Sequence, residues 1–146
     1  MAKFTYRMQN ILNMKQKLET QAKNAYGVAD RKYREEQGKL QEMLVRRSGY
    51  EKQLKELMTG PINLAEVGHA RAASDSMRVL IRRQMVEVHK AELELEAARK
   101  ALSDVRKERK MHEKLREKAY DEYLQEMSHE EGKEVDQLVS YTYHAK

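Results

Sequence analysis

The chain has 146 residues, of which 36% are charged and 6% aromatic, with one Pro, no Trp and a formal net charge of +5. That length suits one domain, but so much charge at a mean hydropathy of −0.95 excludes an ordinary packed globule and fits long helices. The absence of Cys excludes disulfide staples and thiolate zinc sites, and it fits a reducing compartment.

The first residues carry Lys3, Arg7, Lys15 and Lys17, so no apolar run of signal-peptide length opens the chain. No stretch approaches the roughly 20 apolar residues of a membrane span. A soluble, cytoplasmic protein is expected. Both signs of charge are interspersed and the apolar residues keep a helical period, which favours helix over disorder.

Phe4, Met8, Ile11, Leu18, Ala22, Ala25 and Ala29 follow steps of three, four or seven and fall on one narrow stripe of a helix. Tyr33, Leu40, Met43, Tyr50, Leu54 and Leu57 continue it. The two steps of four at Ala25, Ala29 and Tyr33 read as a stutter that locally unwinds a supercoil. This predicts a first helix over about 4–58. Gly27, Gly38, Gly49 and Gly60 recur every eleven residues, about three turns, roughly opposite the stripe. They are either incidental flexibility or a bare strip where another backbone approaches or the helix bends.

The segment "MTGPINLAE" is the strongest punctuation. Gly60-Pro61 signals a break over about 59–63, and Asn63 with Glu66 three residues on signals a new helix start. A second helix is predicted over about 64–138, followed by a flexible C-terminal tail. Its stripe is Leu64, Val67, Met77, Ile81, Met85, Val88, Leu95, Leu102, Val105, Leu115, Ala119 and Tyr123. A thin stripe cannot build a core alone, and a short connection makes long helices antiparallel neighbours. The expected fold is all-α: one long antiparallel two-helix coiled-coil hairpin forming a single domain over 1–146.

Little in the chain suggests catalysis. His69, His89, His112, His129 and His144 are scattered. His112-Glu113 and His129-Glu130 each lack the second His four residues on that a helical zinc site needs. Gly60-Pro61 is not followed by the Gly-Lys-Ser/Thr of a phosphate loop. No catalytic, cofactor or metal residue is expected, and no cofactor.

Charge is more informative. Residues 1–23 hold five basic side chains against Glu19, and residues 99–118 hold nine against four acids. Folding the chain near residue 61 lays these segments side by side, position 4 near 118 and 18 near 104. The open end becomes strongly basic and produces a steering field. Lys15, Lys17, Arg106, Lys107, Arg109 and Lys110 fall in this zone. Residues 119–146 carry seven acids against two lysines. The basic segments interleave acids and lack stacking aromatics beyond Phe4, Tyr6 and Tyr120, which argues against nucleic acid as the partner.

The segment "FTYRMQNILNMKQKLETQAKNAYGVA" resembles the N-terminal signature of the FliJ family of the bacterial flagellar type III export apparatus. The resemblance lies in an early Phe4, the aromatic Tyr6, the pair Ile11-Leu12, then Glu19 and the small residues Ala22 and Ala25. It implies an antiparallel coiled coil like the central stalk of rotary ATPases, which binds and activates the hexameric export ATPase. It also implies contact with the cytoplasmic part of the export-gate membrane protein, hand-over of export chaperones, and peripheral membrane association only through partners. By position, Met43, Tyr50, Met77, Ile81 and Val88 would bind the gate and the basic zone would meet the ATPase ring. A structural coiled-coil spacer or adaptor without ATPase coupling is the alternative.

Overall fold

The computed structural model describes residues 3–144; Ala145 and Lys146 of the expected tail lie outside the described residues. Two helices, α1 (Gln9–Leu57) and α2 (Leu64–His144), make up the fold, with no strand among the described residues. They run antiparallel and pack on each other, so the chain is an all-α two-helix coiled-coil hairpin.

The helix ends differ from the sequence expectation in two places. α1 begins at Gln9 rather than near Phe4, because residues 3–6 are non-helical and lead through a turn in which the Gln9 amide donates to the Tyr6 carbonyl at 3.1 Å. α2 continues past residue 138 to His144, although residues 128–143 are all exposed.

The turn between the helices is built as its residues require. Gly60 takes φ +83°, a left-handed conformation that Gly reaches without Cβ strain. The Thr59 amide and hydroxyl both donate to the Glu56 carbonyl, at 3.2 and 2.7 Å, and close the end of α1. Pro61 then cannot extend a helix. Asn63 caps α2: its Oδ1 accepts from the Ala65 and Glu66 amides at 3.1 and 3.5 Å, satisfying donors that have no intrahelical partner.

The contacts divide the chain into two compact units, one made from its two ends, up to Gln21 and from Ser103 on, and the other from Ala22–Leu102. In the second unit the inward positions of α1 are Ala22, Tyr26, Ala29, Tyr33, Glu36, Leu40, Met43, Arg47, Tyr50, Leu54 and Leu57. Those of α2 are Val67, Ala70, Ser74, Met77, Ile81, Gln84, Val88, Ala91, Leu95, Ala98 and Leu102. Both lists alternate steps of three and four without interruption, the seam of a left-handed coiled coil. The stutter expected at Ala25–Ala29–Tyr33 is therefore absent: Ala25 faces outward and Tyr26 faces inward. Leu64 and Met85, assigned to the seam by their hydrophobicity, also face outward.

Gln84 sets the register here. Its amide donates to the Glu36 carbonyl oxygen at 2.9 Å and to the Glu36 carboxylate at 2.5 Å. Lys32 and Glu94 pair at 3.5 Å on the surface in the same register.

In the first unit the alternation continues through Leu12, Lys15 and Glu19 of α1 and Val105, Arg109 and His112 of α2. Met8, Ile11, Leu18 and Leu115, expected in the seam, are outward and substantially exposed.

Candidate functional site

The sequence points to two regions, a basic zone and an apolar patch. Each lies within one of the compact units.

The basic zone belongs to the unit formed by the chain ends. Glu19 sits at an inward position of α1 and is 7% exposed. A buried carboxylate needs paired charge to offset its lost hydration. Two arginines of α2 supply it: Arg106 Nε lies 3.4 Å from Glu19 Oε1, and Arg109 forms a close ion pair with Glu19 Oε2. Arg109 also donates to Glu113 at 2.8 Å. The hydrogen bond to Glu113, followed by the Glu19 interaction, holds the Arg109 guanidinium above its ordinary pKa despite partial burial. Lys15 donates to Glu108 at 2.6 Å, and this bond to the ammonium holds the Glu108 carboxyl below its ordinary range. Arg116 donates to Gln9 at 2.9 Å.

An aromatic cluster secures the non-helical start of the chain. The Phe4 ring meets Tyr120 edge-on at 5.0 Å and Tyr123 at 5.4 Å, and the Arg116 guanidinium lies 5.6 Å from the Phe4 ring centre. These contacts tie Phe4 to α2 without a helix around it.

Of the six basic residues singled out by sequence, Lys15, Arg106 and Arg109 are thus engaged in pairs between or along the helices. Lys17, Lys107 and Lys110 are exposed. The division follows helix geometry. Val105, Arg109 and His112 face α1, while Lys107, Lys110, Lys114 and Lys118 share the outward face with Met111 and Leu115. Sequence reasoning saw the excess charge but missed Lys114 and Lys118, although their spacing of four from Lys110 and Lys114 carries the signal.

The apolar patch lies in the Ala22–Leu102 unit, and its residues, proposed as gate contacts, also stand on the two seam lines. Met77 and Ile81 are 7% and 3% exposed and form part of the seam. Met43, Tyr50 and Val88 are half-buried at its edge. A side chain at an inward heptad position is consumed by the partner helix and presents little to a third body. The outward apolar side chains in this region are instead Leu44, Val45, Val79, Leu80, Met85 and Val86. The Glu36 carboxyl in this unit lies below its ordinary range, chiefly because Gln84 donates to it.

No group of three His, Asp or Glu that could hold a metal ion gathers among the described residues, and no described helix is long and apolar enough to cross a membrane. A Cβ placed at Gly27, Gly38 or Gly49 would meet nothing within 4 Å, so that strip is open. What the arrangement offers is binding: charged and apolar surface on a helical pair.

Comparison with known proteins gives two findings. The sequence model of the flagellar FliJ protein family matches residues 4–146. Among solved structures the chain is similar to CT670 of Chlamydia trachomatis, described as a YscO homolog, with a TM-score of 0.62 and 22% identity over 97% of this chain and 96% of that one. That likeness is one of fold. No curated protein sequence matches.

Proposed function

The chain belongs to the flagellar FliJ protein family, and from that premise we propose that it is a non-catalytic component of flagellar protein export that engages the hexameric export ATPase as a stalk-like activator. In this reading it also contacts the cytoplasmic part of the export-gate membrane protein and escorts export chaperones. It then works at the inner face of the cell membrane through these partners.

The observation that supports ring engagement best is the sorting of charge in the unit formed by the chain ends. Glu19 and Glu108 take up Lys15, Arg106 and Arg109 between the two helices, and Glu113 holds Arg109 along α2. Lys17, Lys107 and Lys110 are left exposed to steer an acidic partner. Lys15, Arg106 and Arg109 then serve the ring by holding the hairpin end closed. Gate contact falls to Met43, Tyr50 and Val88, which keep partial exposure on the seam lines, while Met77 and Ile81 support them from within.

ATP turnover by the purified export ATPase, measured with and without the protein, tests the reading. Stimulation is expected, with association slowed in a Lys17→Glu, Lys107→Glu, Lys110→Glu variant whose melting temperature is unchanged. Stimulation by that variant that is equal to wild type at low and high salt would remove charge steering and leave shape complementarity. No stimulation and no capture of the ATPase would favour the spacer or adaptor reading.

A further inference from the structure

The outward face of α2 between Lys107 and Lys118 is unlike the rest of its unit. Lys107, Lys110, Met111, Lys114, Leu115 and Lys118 line one shallow groove. They lie three, four, seven, eight and eleven residues along, so the face is three turns long, about 17 Å. Met111 and Leu115 are 54% and 45% exposed, and all four lysines are exposed. None of the four has an acidic partner among the described residues. The arginines of the same segment, Arg106, Arg109 and Arg116, are turned to Glu19, Glu113 and Gln9.

We propose that this lysine-flanked Met111–Leu115 face is a docking surface for an anionic lipid bilayer. Charge complementarity selects the partner. The groove lining holds four cations and no carboxylate, with Glu108 at its margin held by Lys15 and Glu117 exposed beside it, and each lysine near an anionic surface gains about fivefold in binding. The cation type narrows it further. Arg gives the directional, bidentate pairing of protein interfaces, where Lys is depleted. Here the arginines are already engaged with Glu19, Glu113, Gln9 and Phe4, and the cations left without a partner on this face are lysines, point charges that accept headgroups from many directions. Lysine stems lie along an apolar surface while their ammonium groups reach to the polar layer, which lets Met111 and Leu115 enter the headgroup boundary between them. Asp121 and Glu122 follow on the same side in the next turn, so the contact ends there.

This face shares Lys107 and Lys110 with the proposed ring contact, and the vesicle assay, which contains no ATPase, tells failure of the one from failure of the other. The whole protein is sedimented with vesicles of equal parts phosphatidylglycerol and phosphatidylcholine, or of phosphatidylcholine alone, in low salt. Binding to the anionic vesicles only is expected. The variant Lys107→Gln, Lys110→Gln, Lys114→Gln, Lys118→Gln should lose roughly several hundredfold, and Asp121→Asn with Glu122→Gln should gain affinity. The native chain has no Trp, so Met111→Trp gives a local reporter: its emission should shift to the blue on anionic vesicles, while Leu138→Trp should not move. Undiminished binding by the four-lysine variant overturns the proposal, as does an unmoved Met111→Trp. Lysine-dependent capture of soluble polyglutamate without vesicle binding also overturns it, assigning the face to an acidic polypeptide instead.

Discussion

Replacing Ile81 with Ala separates a seam residue from a docking residue. Ile81 is 3% exposed and stands between Met77 and Gln84 on the inward line of α2. The substitution removes three buried methyl or methylene carbons, worth about 0.8 kcal/mol each in transfer, or about 2.4 kcal/mol together. A cavity term adds to this where neighbours cannot collapse, and buried Ile→Ala changes span about 2–5 kcal/mol. A two-helix pair relaxes more easily than a globular core, so the expected loss is near the low end, about 2–3 kcal/mol. Domains typically have only about 5–15 kcal/mol in hand, so this is a large fraction. Met85, about one turn further along α2 and 50% exposed, supplies the control: Met85→Ala should change stability by less than about 0.5 kcal/mol. Urea unfolding followed by circular dichroism at the helix band, with the slopes compared, reads both. If Ile81→Ala and Met85→Ala shift the midpoint equally, the assignment of the inward line is wrong.

Glu19→Ala should destabilise by about 2 kcal/mol, because it removes the partner of Arg106 and Arg109 on the opposite helix and leaves Arg109 only Glu113, and Glu19→Leu combined with Arg109→Leu should recover most of that loss, since a well-packed apolar pair can replace a buried ion pair; urea midpoints of the two variants and the native chain decide. Acid should weaken the fold in a defined window. The Glu36 and Glu108 carboxyls are depressed from 4.5 by Gln84 and Lys15 respectively, so their contribution is complete above the unfolded value and is lost as pH falls through the folded one. Melting temperatures should therefore hold down to about the ordinary value of 4.5 and drop below it, less steeply in Gln84→Ala; a drop already complete at neutral pH contradicts this. Gly38→Ala should stabilise by about 1 kcal/mol, because the new Cβ meets open space in a helix interior, and a loss of stability would show that something occupies the strip.

Much of the fold was legible in the sequence because it rests on punctuation and period. Gly60-Pro61 and Asn63 mark the turn unaided, and folding there pairs the chain ends in nearly the observed register, with Phe4 beside Tyr120 and Glu19 beside Arg106. The seam itself was harder to read. A stripe drawn through apolar residues passes through Ile11, Leu18 and Ala25, and so acquires a stutter. The real line runs one residue away, through Leu12, Lys15, Glu19 and Tyr26, because charged residues can stand inside when the opposite helix carries their partners. That partnership is invisible along one strand of sequence. Met77 and Ile81 illustrate the converse: family likeness offers them as contacts for another protein, while strict alternation of three and four marks them as interior. At the basic end, summed charge found the zone. Only the helix faces divide it into arginines that close the hairpin and lysines that remain outside.

The Gln84–Glu36 contact also decides what the helix pair can do under load. Apolar seams repeat every seven residues, so one helix could in principle slip past the other by about 10 Å and find equivalent partners. Here such a slip would move Glu36 from Gln84 to Met77 or Ala91. A carboxylate that is 14% exposed would then face a methyl or a thioether and keep only Lys39 of its own helix as a donor, while Gln84 lost both of its acceptors. The seam in this unit is keyed rather than smooth. Force applied along α1 is therefore delivered to α2 as axial thrust instead of being dissipated by sliding.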